Sequence, residues 1–131
     1  MHELELTGKI VDSACRVYDG LGPGLLEGVY ELALCHELRE HRLEFKKQCL
    51  VPTHYRGVNL GVDLRIDLFV EDRIVVELKS VERLEPVHTA QVISYLRLSR
   101  RTVGLLINFN VKWLVPDGLK RIVCGFRDSA E

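Results

Sequence analysis

The stretch R-I-D-L-F-V-E-D-R-I-V-V-E-L-K, Arg65 to Lys79, reads as two short apolar strands joined by a tight polar turn at Glu71–Arg73. Asp67, Glu77 and Lys79 sit inside those strands. A charge in a buried strand is costly unless it is paired or binds a metal. In the first strand, about 60–70, alternation points Val62, Leu64, Ile66, Leu68 and Val70 one way, and Asp63, Arg65, Asp67 and Phe69 the other. In the second, 74–79, it separates Ile74, Val76 and Leu78 from Val75, Glu77 and Lys79. If Val70 pairs with Ile74, Asp67 faces Glu77 across the ladder. Two facing carboxylates repel unless something positive lies between them. Lys79, Arg65 or a divalent cation can supply that charge, and a one-residue slip of register would undo the opposition.

Working outward, the segment before the hairpin gives a strand near 43–51, in which Phe45, Lys47, Cys49 and Val51 alternate with polar neighbours. Pro52 predicts a bend, and R-G-V-N within 55–60 a turn. Further upstream, Leu6, Ile10, Ala14, Val17 and Tyr18 recur at helical spacing from about 3 to 18, with Thr7 or an earlier residue as the cap. The run G-L-G-P-G, Gly20 to Gly24, stops that helix. A second helix spans roughly 25–41 with Leu26, Val29, Tyr30, Ala33, Leu34 and Leu38 as its stripe. Glu27 lies beside that stripe in the first turn. There it either joins a site or simply complements the helix dipole, and both readings stand open.

Downstream of Lys79, Pro86 opens a third helix to about Ser99. Ala90, Val92, Ile93 and Leu96 give its apolar side, while His88, Gln91 and Tyr95 form a polar face. A strand with Val103, Leu105, Ile107 and Phe109 follows, then a loop over 110–118 carrying Trp113, then a last strand over about 119–124. Helix, helix, strands, helix, strand, strand is the order of an α/β fold with a mixed central sheet flanked by helices.

The 131 residues suit a single domain over 1–131, with 47% hydrophobic and 28% charged residues, enough to bury a core without staples. A formal net charge of −1 gives no global basic field, so a grip on nucleic acid would have to be local. Cys15, Cys35, Cys49 and Cys124 form no C-x-x-C pair and fit neither a zinc nor an iron–sulfur spacing; they read as small buried hydrophobes in a reducing compartment. The polar start M-H-E-L-E-L-T-G-K is unlike a signal peptide, and no apolar run spans a membrane. The expectation is a cytoplasmic protein with no membrane partner.

The spacing D-x9-E-x-K sets two carboxylates and a lysine on adjoining strands. Hard oxygen donors of this kind suit Mg2+ or Mn2+. A lysine beside such a site can orient an attacking water and stabilise charge developing on a phosphate. Glu27 can add a third carboxylate if its helix packs over the hairpin, and Gln91 and Tyr95 can hold the lysine, water or substrate backbone. Each piece alone has a plainer explanation: an ion pair, a solvated strand face, the wet side of a helix.

The chain also resembles the GxxExxY proteins of the PD-(D/E)XK nuclease-like superfamily. The naming motif stands as Gly24-Leu-Leu-Glu27-Gly-Val-Tyr30, followed by V-P-x-x-Y-R-G (51–57), R-I-D-L-F-V (65–70), V-V-E-L-K (75–79), H-T-A-Q-V-I-S-Y-L (88–96), G-L-L-I-N-F (104–109) and D-G-L-K-R-I-V (117–123). The resemblance implies a restriction-endonuclease-like fold. It implies Asp67 as the motif's first acid and Glu77 and Lys79 as its E-x-K. It further implies Glu27 as the helix glutamate that joins Asp67 and Glu77 at the metal, and Gln91 and Tyr95 as the Q-x-x-x-Y of exonuclease-type branches. His88 fits the pattern without an assigned role. Ile66 stands where the superfamily's first motif letter is proline. The four cysteines do not match the iron–sulfur branch, so no such cluster is expected. The implied function is a Mg2+- or Mn2+-dependent nuclease, with DNA ahead of RNA as substrate. Lys46, Lys47, Arg97, Lys120 and Arg121 are candidates to hold the backbone, and the carbonyl of Leu78 is a candidate extra ligand. The alternative is a catalytically silent nucleic-acid- or protein-binding module on the same fold. A homodimer or partner protein completing the groove is a third expectation.

Overall fold

The computed structural model describes residues 1–125. Its elements are α1 (Glu3–Leu21), α2 (Glu27–Glu40), β1 (Phe45–Tyr55), β2 (Val58–Val70), β3 (Ile74–Lys79), α3 (Pro86–Ser99), β4 (Val103–Asn108), a short wide turn at Leu114–Gly118, and β5 (Leu119–Val123). The strands form one mixed sheet in chain order, β1-β2-β3-β4-β5. All pairings are antiparallel except β3 with β4, which run parallel because α3 carries the chain back across the sheet. The α/β architecture is therefore the expected one. No helix among the described residues is long and apolar enough to cross a membrane.

Two layers of side chains fix the helices. Leu6, Ile10, Ala14 and Val17 of α1 and Tyr30, Leu34 and Leu38 of α2 bury against Leu68, Val70, Ile74, Val76, Leu78, Leu105 and Ile107. On the other face, Val92, Tyr95 and Leu96 of α3 pack on Ile66, Phe69, Val75, Leu106 and Ile122. Gly104 lets α3 approach β4 closely, because a Cβ there would lie 2.8 Å from Val92 Cγ1. With helices on both faces, β3 and β4 must be apolar on both, and Val103–Asn108 is buried throughout.

Three local expectations are corrected. First, β1 does not end at Val51. It runs through Pro52 to Tyr55 with a register irregularity between Pro52 and His54, tolerated because β1 is an edge strand whose proline interrupts no central ladder. The turn is accordingly tight, with Arg56 and Gly57 both at positive φ.

Second, the apolar residues of β2 do not share a face. Leu68 and Val70 bury under α1 and α2, whereas Leu64 and Ile66 pack on the α3 side with Phe69. The change of side falls at Asp67. Gln48, between the Lys47↔Leu68 and Cys49↔Ile66 pairs, takes a left-handed φ of 50°, so the strict period of two breaks there. Third, α1 continues through Gly20 to Leu21, and Gly22, at φ 68°, closes it with its N–H on Tyr18 O. The cap at the other end is His2, and Thr7 instead bonds back to the Glu3 carbonyl inside the helix.

Candidate active site

The expected register is present. Val70 pairs with Ile74, Phe69 with Val75 and Leu68 with Val76, so the next opposed pair is Asp67 and Glu77. There the backbone ladder stops and side chains take over. Asp67 N–H donates to Glu77 Oε1 at 3.0 Å, and Leu78 N–H donates to Asp67 Oδ2 at 2.9 Å. The two acids thus satisfy backbone donors that the parting strands would otherwise orphan. Glu77 is only 3% exposed and Asp67 half-buried. Burial and the adjacent Asp67 carboxylate push the Glu77 acid up to about 8, against the opposing pull of the Asp67 N–H and Lys79. The two carboxyl groups are also within hydrogen-bonding reach of each other, a contact that needs a proton, or another cation, between them.

Lys79, two residues along β3, lies on the same side. Its Nζ donates to Gln91 Oε1 of α3 at 3.2 Å. No carboxylate lies within ion-pair distance of it among the described residues. Gln91 in turn bonds Tyr95, whose phenol is pushed up by burial and by the Glu77 and Asp67 charges. Five of the six expected site residues therefore converge: Asp67, Glu77, Lys79, Gln91 and Tyr95.

Glu27, the sixth, starts α2 and is exposed. Its helix end is pinned beside β3, because Ser80 Oγ donates to Leu25 O at 2.5 Å. Tyr30 completes the anchor. Fully buried and stacked on Phe109 with centroids 4.4 Å apart, it donates its hydroxyl to Gly22 O at 2.6 Å and accepts from Leu25 N at 3.1 Å. Gly24 sits within that clamp at φ 97°, a conformation that favours glycine. The G-x-x-E-x-x-Y motif is thus a device for fixing the start of α2.

Sequence reasoning missed Glu31 and Gln48. Glu31 lies one turn beyond Glu27 and accepts from Gln48 Nε2 at 2.6 Å. Burial raises its carboxyl, the Gln48 bond opposes this, and the Asp67 and Glu27 charges add to the rise. The i, i+4 spacing of Glu27 and Glu31 could have flagged it. His88 gains a role as well: its Nδ1 accepts the Glu85 N–H at 2.9 Å and so caps α3. Asn108, buried at the end of β4, holds Val81 by both N–H and carbonyl and fixes the loop after Lys79. Of the basic candidates, Arg121 pairs with Glu3 on the α1 side at 3.3 Å, away from the α3 face, and Lys120 bonds Thr89 at 2.9 Å.

Among the described residues no three His, Cys, Asp or Glu side chains gather into a ready metal-binding group. The donor set of the Asp67–Glu77 pair nevertheless fits a hard divalent cation. Each carboxyl gives one oxygen to a backbone N–H and has a second, and the pair repels itself until a positive charge lies between its members.

The family model of the PD-(D/E)XK nuclease superfamily matches residues 4–122. The chain belongs to that superfamily. Neither a curated protein nor a solved structure matches it. Asp67, Glu77 and Lys79 are residues of the types that the superfamily's name spells out, in the order D-x9-E-x-K, with Ile66 rather than proline before the aspartate. Superfamily nucleases generally use divalent metals, in keeping with the paired acids. A roomier cleft of about 790 Å³, lined by residues including Arg39, Phe45, Phe69 and Asp72, contains none of the motif residues, so size alone does not locate the chemistry.

Proposed function

We propose that the protein is a Mg2+- or Mn2+-dependent nuclease that hydrolyses nucleic-acid phosphodiesters, of the GxxExxY branch of the superfamily. One observation carries the reading: two carboxyls brought face to face at the open end of the β2–β3 ladder, with a lysine on the same strand held by a neutral amide. Asp67 and Glu77 would hold the cation, with Glu27, exposed at the start of α2, as a further candidate ligand. When bound, the cation supplies Lewis-acid stabilisation of the charge that builds on the phosphate.

The chain's own groups do the rest. Gln91 Oε1 orients Lys79 Nζ, and Tyr95 steadies Gln91. Lys79 Nζ positions the water whose oxygen forms the new P–O bond. The water gives up a proton to solvent as it attacks. As the ester P–O bond breaks, the leaving oxygen takes up a proton from solvent to become a hydroxyl, and a phosphate monoester remains. Burial of Glu77 keeps the site partly dry, which strengthens each of these interactions.

A second reading has its own support. Because both acids already bond backbone N–H groups, they stabilise the fork in the sheet without any cation. The fold could then serve as a binding module without turnover.

Incubation with single- and double-stranded DNA and RNA in Mg2+ or Mn2+ separates the two. The nuclease reading expects cleavage that requires the metal and is lost in Asp67→Ala and Lys79→Ala. Substrates left intact in every metal, by a protein shown to be folded, would favour the silent module.

A further inference from the structure

Beside the acids lies a pocket of about 550 Å³, lined by Lys79, Val87, His88, Ala90, Gln91 and Ser94. Its chemistry is one-sided, because no carboxylate lines it. Lys79 contributes an ammonium with no ion-pair partner among the described residues. Of its three donors one goes to Gln91, one serves the attacking water of the proposed reaction, and the third is left for a phosphate oxygen. His88 contributes a ring whose Nδ1 is occupied as acceptor by the Glu85 N–H, which leaves Nε2–H as the donor of the neutral tautomer. Ser94, exposed on the same face of α3, contributes a hydroxyl. A half-buried cation flanked by neutral donors is the arrangement that receives an anion with several oxygens.

We propose that this pocket is a phosphate subsite that takes the terminal phosphate monoester of a nucleic-acid chain end. A monoester offers three non-bridging oxygens where an internal diester offers two, and three donor groups from β3 and α3 meet here. The subsite rests on the nuclease reading for the identity of its ligand, and would make the enzyme count from an end. His88, which the motif chemistry leaves without a task, becomes a positioning and specificity residue through Nε2.

The test is binding without turnover. Single-stranded DNA oligonucleotides of one sequence, internally labelled, carry a 5′-phosphate, a 3′-phosphate or hydroxyls at both ends. Fluorescence anisotropy with the full chain in EDTA should show one phosphorylated end bound about ten-fold tighter than the hydroxyl-ended strand, the worth of one charge-assisted hydrogen bond. Ser94→Asp places a carboxylate in the pocket at an exposed helical position and should abolish that preference, as should His88→Ala. Equal affinity for all three strands, or a preference that survives Ser94→Asp, overturns the proposal. So does binding of inorganic phosphate at the pocket with no preference for a phosphorylated end. Because no cleavage is read, end preference in a protein that never cuts keeps the subsite and removes the nuclease, and cutting without end preference does the reverse.

Discussion

At neutral pH Glu77 is mostly protonated, since burial and the Asp67 carboxylate hold it up at about 8. Its folded value lies above its unfolded one, so its contribution to stability is fully present below about 4.5 and is lost as pH rises through 8. The metal-free protein should therefore unfold at lower denaturant near pH 8.5 than near pH 5.5, by a few kcal/mol at most, on the order of what burying one unpaired carboxylate costs. Glu77→Gln keeps the acceptor for the Asp67 N–H and should flatten that slope in parallel urea titrations. An unchanged slope in the variant would remove Glu77 as its source.

Lys79 makes a different prediction. Lys79→Ala should still bind Mn2+ within a few-fold while cleavage falls by about 10²–10⁴, because the lysine handles water rather than the cation. Asp67, Glu77 and Lys79 were legible because a period of two and a three-residue turn fix their register. Gln48 and Glu31 were not, because a left-handed backbone at Gln48 is set by how the hairpin twists, which alternation does not encode.

Among the elements, α2 matters most for where its first turn is held. Tyr30→Phe keeps the stack on Phe109 but removes the hydroxyl that ties Gly22 and Leu25. It should cost about 1–3 kcal/mol of unfolding free energy, with one buried partner left unsatisfied. It should also lower cleavage more than the same loss of stability made elsewhere, for example by trimming Leu38. Equal losses of cleavage in the two variants would contradict a positioning role.

Gly104→Ala tests α3 in the same way. The new methyl meets Val92 Cγ1 at 2.8 Å and the Val75 carbonyl at 3.3 Å, so α3 must shift or β4 must strain, at a cost of about 1–3 kcal/mol in chemical denaturation. Helices α1, α2 and α3 stood out in the sequence through their stripes. The reach of β1 through Pro52 did not, because a proline breaks a strand only where its missing N–H is needed, and edge position is a property of the finished sheet.

Across the molecule, the sheet brings chemistry from three elements to one place: Asp67 from β2, Glu77 and Lys79 from β3, Gln91 and Tyr95 from α3. The parallel crossover through α3 makes this possible, and the order of strands and helices predicted it. The charge balance predicted less. With a net charge of −1 and Arg121 tied to Glu3, the proposed grip on a strand draws on a few local cations, with Lys46, Lys47, Arg97 and Lys79 as the candidates. The log–log salt dependence of single-strand binding should accordingly be shallow, with a slope of about −2 to −3. A much steeper slope would contradict a grip confined to these few residues.

The central claim is that the Asp67–Glu77 pair holds a divalent cation. Calorimetric titration of Mn2+ into the protein at pH 7, in buffers of different ionisation enthalpy, tests it most directly. One cation should bind with release of close to one proton, since Glu77 must give up its own, and binding should be lost in both Asp67→Asn and Glu77→Gln. Mn2+ binding of the same strength in both variants, or none in the wild-type protein, would contradict the account.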